Sequence, residues 1–349
     1  MSEPEVIVAI DGKLGRLTLN RPAALGALTL TMCGLMIDAL VAWRDDPRVE
    51  AVLIDHAGER GFCAGGDIRA LADSAAADGS AARDFFFTEY RLDHLIFGYP
   101  KPLITLMDGV TMGGGVGISW GAAYRVGTER TTFAMPETGI GLFPDVGGSW
   151  FLPRLHGGAG AWLALTGARL KAAGCEILGI VTDVIPSASL PDFKARLAAE
   201  PAAVETLLTE LQSDPGRSAM IEHHDDIDRL FRGDTVEGIV GALAADGSEW
   251  ALAQRVIIAG KSPTSSKVAL RQLRLGAAMT DFADVMRMEM RIAARLVMAR
   301  DFREGVRAVI VDKDNRPTWS PASLEAVSDE AVDAIFAPLA GSNEWTPLP

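Results

Sequence analysis

Twice in this chain a run of glycines stands at a strand-to-helix junction: Gly65-Gly66 before Asp67, and Gly113-Gly114-Gly115 at the head of an apolar helical stretch that ends at Gly121. Glycine has no Cβ and takes up unusual φ/ψ values cheaply, so such a run lets backbone N–H groups approach a ligand closely. N–H groups converging from two runs would form an oxyanion hole for an acyl carbonyl, where one donor contributes about 3 kcal/mol in the transition state. Close packing of helix on strand accounts for a glycine run equally well from the sequence alone.

The segments around these runs have an α/β pattern. Residues 5–20 predict a hairpin, with Leu17 and Leu19 alternating against Arg16, Thr18 and Asn20. Leu30, Cys33, Ile37, Leu40 and Val41 recur at helical spacing, and Asp45-Asp46-Pro47 closes that helix. AVLIDH (51–56) and the stretch from Pro102 to Met107 are short, apolar and β-prone. Strand followed by helix, repeated, is the pattern of parallel strands with crossover helices. Residues 131–148 are rich in Gly and Pro and predict loops and short strands. From about Pro186 the character becomes helical, and Phe282, Val285, Met286, Met290, Ala293 and Val297 fit one helical face. The expected organisation is a core over 1–190 and a mainly helical region over 191–349.

Charge and cysteine usage exclude several functions. A formal net charge of -13 would repel nucleic acid and anionic lipid alike. Cys33, Cys63 and Cys175 are odd in number, far apart and without CxxC spacing, which argues against a disulfide framework and a zinc site and for a reducing compartment. The five histidines show no metal-ligand spacing, and HHDDID (223–228) reads as an exposed loop or helix end. The opening MSEPEVIVAI has neither a secretory nor a transit pattern, and no apolar stretch approaches the roughly 20 residues of a membrane span. A cytoplasmic location is therefore expected.

Glu137 and Asp145 each follow a proline among apolar neighbours, in FAMPETGIGLFPDVGG (133–148). A desolvated carboxyl has a raised pKa suited to proton transfer near neutrality. The alternative makes Glu137 a first-turn helix charge and Asp145 a helix N-cap. Gly117-Ile118-Ser119-Trp120-Gly121 matches the GxSxG nucleophile elbow, but the elbow requires a strand ending at the serine, and the strand pattern ends near Met107.

FCAGGDI (62–68), GVTMGGGVGIS (109–119) and FAMPETGIGLFPDVGG resemble the signature of the crotonase (enoyl-CoA hydratase/isomerase) superfamily. The last of these, with SPTSSKVALRQL (262–273) and DFREGVRAVIVDKDNRPTW (301–319), is similar to the 3-hydroxyisobutyryl-CoA hydrolase subfamily. The likeness runs from the first hairpin to about residue 335 and is weakest over 186–260. It implies the ClpP/crotonase-like α/β fold of repeated ββα units, with a helical C-terminal region that covers the site or mediates trimer-type homo-oligomer assembly. The implied activity is hydrolysis of a short β-hydroxyacyl-CoA thioester, 3-hydroxyisobutyryl-CoA, in valine catabolism. Coenzyme A enters as part of the acyl-CoA substrate, with no further cofactor and no metal.

Residue by residue, the resemblance assigns the oxyanion donors to the N–H groups of Gly66 and Gly114, the catalytic glutamate to Glu137 and the subfamily's additional acid to Asp145. Glu89, in FFFTEYRLDHLI, matches a substrate-contacting glutamate, the adenine is expected against the backbone of Ala64, Asp67 and Ile68, and Gly65 is expected in the same substrate and coenzyme A site. Gly117 stands where hydratases carry a second glutamate, which disfavours water addition but leaves a double-bond isomerase open. A non-catalytic acyl-CoA binder and a serine hydrolase using Ser119 are the remaining alternatives. RPAALGAL (21–28) departs from the family's RPxxxNAL, with Gly26 for the asparagine and Ala23 where a basic residue often stands, so the phosphates' charge would come from Arg69 or elsewhere.

Overall fold

The computed structural model describes residues 3–349. β1 (Val6–Asp11) and β2 (Leu14–Leu19) form the expected hairpin, Val6 opposite Leu19, around a two-residue turn in which Gly12 supplies φ +59°. β3 (Ala51–His56), β5 (Leu103–Met107), β7 (Tyr124–Gly127) and β10 (Asp183–Val184) continue this sheet in parallel, giving the order β1-β2-β3-β5-β7-β10. A second sheet holds β4 (Gly61–Cys63), β6 (Val110–Met112), β8 (Thr132–Ala134) and β9 (Leu170–Lys171) in the order β4-β6-β8-β9. Successive strands alternate between the sheets before each helix: β3 and β4 precede α2 (Ile68–Ala76) and α3 (Ser80–Phe97), and β5 and β6 precede α4 (Gly114–Trp120). This is the repeated ββα arrangement.

α1 (Leu30–Arg44) starts where the Thr29 hydroxyl accepts the Met32 N–H, and it buries Met32, Cys33, Met36 and Leu40; of the face that the spacing predicts, Cys33 and Leu40 are buried, whereas Leu30 and Val41 are exposed. Its exit is pinned by Lys101, whose ammonium donates to the carbonyls of Trp43, Asp46 and Val49 at 2.6, 2.7 and 2.7 Å. Lys101→Met should destabilise the fold by about 2 kcal/mol, since three part-buried carbonyls lose a charged donor. Urea unfolding reads this as a lower midpoint at unchanged slope.

Helices dominate from Leu190 onward. The helix Leu190–Ala199 buries Phe193 and Leu197 against Leu14, Leu53 and Ile104 of the larger sheet. In the helix Phe282–Leu296, Phe282, Val285, Met286, Met290 and Ala293 are buried, as is Val297 just beyond, matching the face expected from spacing. This helix shares one continuous core with α3 and with the loop that follows β8. The HHDDID segment opens the helix His224–Leu230; His223 and His224 are half-buried rather than exposed, with the His223 ring stacked on Trp250 at 4.7 Å.

Candidate active site

β4, β6 and β8 are parallel neighbours, with Cys63 opposite Thr111 and Met112 opposite Ala134. Their carboxyl ends therefore lie side by side, the usual position of a ligand site in α/β architecture. The residues that follow each strand are Gly65-Gly66, Gly113-Gly114 and Pro136-Glu137, so the topology brings both glycine runs and the first candidate acid together. They line a cavity of about 70 Å³ with Ala64, Ile68, Glu89 and Asp145, among the apolar side chains of Phe85, Phe86 and Leu142.

A side chain at either proposed donor position would displace neighbours that line the cavity. A Cβ on Gly114 would collide with Glu89 Oε1 and come 3.0 Å from Leu28 Cδ1, and a Cβ on Gly66 would lie 2.9 Å from the Phe85 ring. Gly65 O accepts the Leu28 N–H and Leu28 O accepts the Asp67 N–H, a parallel bridge that turns the N–H of Gly66 away from Leu28. The N–H of Gly114 belongs to the first turn of α4, where backbone donors have no intrahelical partner.

Glu137 opens the short 3₁₀ turn Glu137–Ile140 after Pro136, so the first-turn reading gives its location. It is nevertheless only 6 % exposed, and Oε2 has no hydrogen-bond partner. The N-cap reading of Asp145 does not hold. α5 (Gly148–Phe151) is capped by Gly147 without a side-chain bond, while Asp145 Oδ2 accepts the Tyr90 hydroxyl at 2.7 Å.

The Asp145 loop is held from the C-terminal region. Gln272 Nε2 donates to the Pro144 carbonyl at 2.6 Å. Glu289 accepts the Gly147 N–H at 2.8 Å and the Ser149 N–H at 2.9 Å. Between these anchors Val146 sits at φ +53°, a conformation that costs a β-branched residue about 1–3 kcal/mol and persists only when its surroundings enforce it. Sequence reasoning missed Tyr90, Gln272 and Glu289; Tyr90 adjoins Glu89 and Gln272 lies within SPTSSKVALRQL, both in segments already singled out, but nothing local marks Glu289.

Five carboxyls, those of Glu89, Asp93, Glu137, Asp145 and Glu289, are buried here. Desolvation pushes Glu89 and Glu137 well above the usual carboxylate range, and in both the charge of Asp145 adds to the effect. Asp145 is raised by burial to about 6, with the Tyr90 hydroxyl working in the opposite direction. Glu289 is raised to about 8, because burial outweighs its two N–H bonds.

Asp67 lies outside the cavity lining; its carboxylate pairs with Arg21 at 2.9 Å and caps α2. Arg69 reaches toward the Ile310 carbonyl, at 3.4 Å. Gly26 has φ +69°, and any Cβ there would meet the Phe62 carbonyl, so no side chain can replace the missing asparagine. Ser119 lies inside α4, buried, with its hydroxyl donating to the Gly115 carbonyl at 2.6 Å, and it does not line the cavity. β6 precedes that helix, but the strand ends before Gly113 rather than at the serine, so the nucleophile-elbow geometry is absent. At Gly117 a Cβ would stand 2.7 Å from both Asp93 Oδ1 and Val146 Cβ. Among the described residues, no cluster of three or more His, Cys, Asp or Glu side chains is arranged to hold a metal ion, and no helix is long and apolar enough to cross a membrane.

The enoyl-CoA hydratase/isomerase family profile matches residues 14–336. A 3-hydroxyisobutyryl-CoA hydrolase of Gallus gallus, named as mitochondrial, is 45% identical over 98% of this chain and 91% of its own. The Homo sapiens protein of the same name is 43% identical over 97% of this chain and 90% of its own. Among solved structures, a carnitinyl-CoA dehydratase from Mycobacterium thermoresistibile superposes with a TM-score of 0.94 at 40% identity, covering 99% of both chains. An enoyl-CoA hydratase from Rhodobacter sphaeroides 2.4.1 gives 0.90 at 38%, covering 98% of this chain and 99% of its own. The cytoplasmic expectation is corrected by the hydrolases, whose names place them in mitochondria. That expectation rested on a leader pattern not being found and on unpaired cysteines, which point to a reducing environment without naming the compartment.

Proposed function

The chain belongs to the enoyl-CoA hydratase/isomerase family, and from that premise we propose that it hydrolyses the thioester of a short β-hydroxyacyl-CoA, 3-hydroxyisobutyryl-CoA, to the free acid and coenzyme A. The observation that carries this reading is the convergence in one small cavity of two glycine backbones, the acids Glu137 and Asp145, and a third carboxyl, Glu89, whose Oε1 is buried without a partner.

The thioester oxygen would sit on the N–H groups of Gly66 and Gly114, which stabilise the negative charge that develops as the carbonyl carbon becomes tetrahedral. Glu137 acts at that carbon, by direct attack or by taking a proton from water, and both routes use its ionised form. The burial that raises its pKa also makes the ionised form a stronger base. Asp145, which lines the same cavity, orients the water or the substrate hydroxyl.

Acyl size and polarity are supported by the same lining. At about 10–15 Å³ for each water-sized group, 70 Å³ accommodates about five to seven such groups, the scale of a four-carbon acyl chain bearing a hydroxyl. A β-hydroxyl donating to Glu89 Oε1 would satisfy an atom that otherwise stays unpaired. Isobutyryl-CoA, which lacks that hydroxyl, is therefore expected to show kcat/KM lower by about 10- to 100-fold than 3-hydroxyisobutyryl-CoA. Equal values in a thiol-release assay would remove Glu89 from the recognition of the hydroxyl.

The pH profile follows from the acids. Glu137 and Asp145 must both be ionised and burial raises both, so kcat/KM should fall as pH drops, along an acid limb that the two carboxyls set together. A profile flat from pH 5 to 8 would contradict this role.

The superposed dehydratase and hydratase favour a second reading, water addition or elimination at a double bond. Gly117 opposes it, because Asp93 and Val146 occupy the space that a second glutamate's side chain would need. The homo-oligomer implied by family likeness is supported by the helix Glu249–Ala259, which exposes Leu252, Val256 and Ile257. Sedimentation at micromolar concentration reads that state directly.

A further inference from the structure

We propose that Tyr90 is a positioning residue for thioester hydrolysis: its hydroxyl ties one oxygen of Asp145 to the protein and so fixes the other toward the bound acyl group. The inference rests on the hydrolase reading and extends it to a residue outside the cavity lining.

Tyr90 follows Glu89 on α3, is fully buried, and packs 5.8 Å from the Phe86 ring, which itself lines the cavity. Its Oη lies 2.7 Å from Asp145 Oδ2. The backbone of the Asp145 loop is fixed independently, by Gln272 on Pro144 and by Glu289 on Gly147 and Ser149, and Val146 is held there in the left-handed region. These anchors place the Asp145 Cα but leave its carboxyl free to rotate. Among the described residues, Tyr90 is the one side chain that hydrogen-bonds that carboxyl.

The groups facing Asp145 and Tyr90 are all acids: Glu89 and Asp93 from α3, Glu137 from the turn after β8, and Glu289 from the helix Phe282–Leu296. Lys261, the nearby cation, acts on Glu137. Burial favours the protonated form of Asp145, and the Tyr90 phenol, with a backbone hydrogen bond, opposes this. Burial and the neighbouring acids push the Tyr90 hydroxyl up, so it remains a donor across the working range.

A residue that merely fills the core would not alter the titration of the reaction, and this separates the two roles. Tyr90→Phe keeps the ring and removes the donor. With thiol release from 3-hydroxyisobutyryl-CoA as the assay, it should lower kcat by about 10-fold or more with KM little changed, and raise the apparent pKa of the acid limb by about 1–2 units. In an Asp145→Asn background the same substitution should change the residual kcat by less than about twofold, because Tyr90 acts through Asp145. Site-specific 3-fluorotyrosine at position 90, a stronger donor of nearly the same shape, should move the limb downward, and it decides the question if Tyr90→Phe fails to fold. An unmoved limb in both variants, or equal losses in both backgrounds, overturns the proposal. A wild-type protein that releases no thiol overturns the hydrolase reading instead, so the two failures are distinguishable.

Discussion

Glu137→Gln should lower thiol release by about 100-fold or more while leaving the protein folded. Glutamine matches glutamate in shape but is neither base nor nucleophile, so the loss reports the carboxylate's chemistry rather than its volume. The native side chain is buried and its Oε2 is unpartnered, so the fold gains little from the charge at this position. Replacement by a neutral amide should therefore leave thermal stability unchanged or slightly higher, as expected when a buried carboxyl with a strongly raised pKa is removed. Turnover and melting temperature measured on one preparation check both halves. A variant that keeps more than a tenth of wild-type kcat would place the chemistry on another residue.

Glu289→Ala should destabilise the fold by about 2–6 kcal/mol, because the N–H groups of Gly147 and Ser149 are both left buried without an acceptor, at about 1–3 kcal/mol each. That is a large share of the 5–15 kcal/mol typical of a folded domain. The same residue predicts a pH dependence. The folded state holds Glu289 protonated up to about 8, whereas the unfolded chain releases that proton near 4.5. The native state thus binds more protons between these values, and this contribution to stability falls as pH rises through the window. Urea titrations at pH 5 and pH 8 should show a smaller decline for Glu289→Ala than for wild type. Equal declines would mean that other buried acids set the slope.

How far the sequence reveals this arrangement depends on the range over which each feature acts. The hairpin and the apolar face of Phe282–Leu296 are legible because their periodicity comes from consecutive residues, whereas α1 is legible as a helix but not in its buried face, since Leu30 and Val41 are exposed. β4 and β6 are not, since three-residue strands inside glycine motifs are too short to show a period, yet their pairing makes the two glycine runs converge. Glu137 is legible by both routes, as a first-turn residue and as a buried acid. Asp145 is found, but its surroundings are not: Tyr90 lies 55 residues upstream, Glu289 lies 142 residues from Gly147, and the strain at Val146 exists only once those contacts form. Ser119 shows the converse, because its motif is complete in sequence while its position inside α4 leaves the hydroxyl bonded to Gly115. Composition identifies a desolvated acid, and tertiary contacts alone identify what orients it.

The measurement that tests the central claim most directly is free-thiol release by the purified protein from 3-hydroxyisobutyryl-CoA and, in parallel, from crotonyl-CoA, with hydration of the latter followed at its enoyl absorbance. The cavity of Gly66, Gly114, Glu137 and Asp145, with no side chain possible at Gly117, predicts rapid thiol release from the first substrate and neither thiol release nor hydration from the second. Hydration of crotonyl-CoA without thiol release from 3-hydroxyisobutyryl-CoA would contradict it.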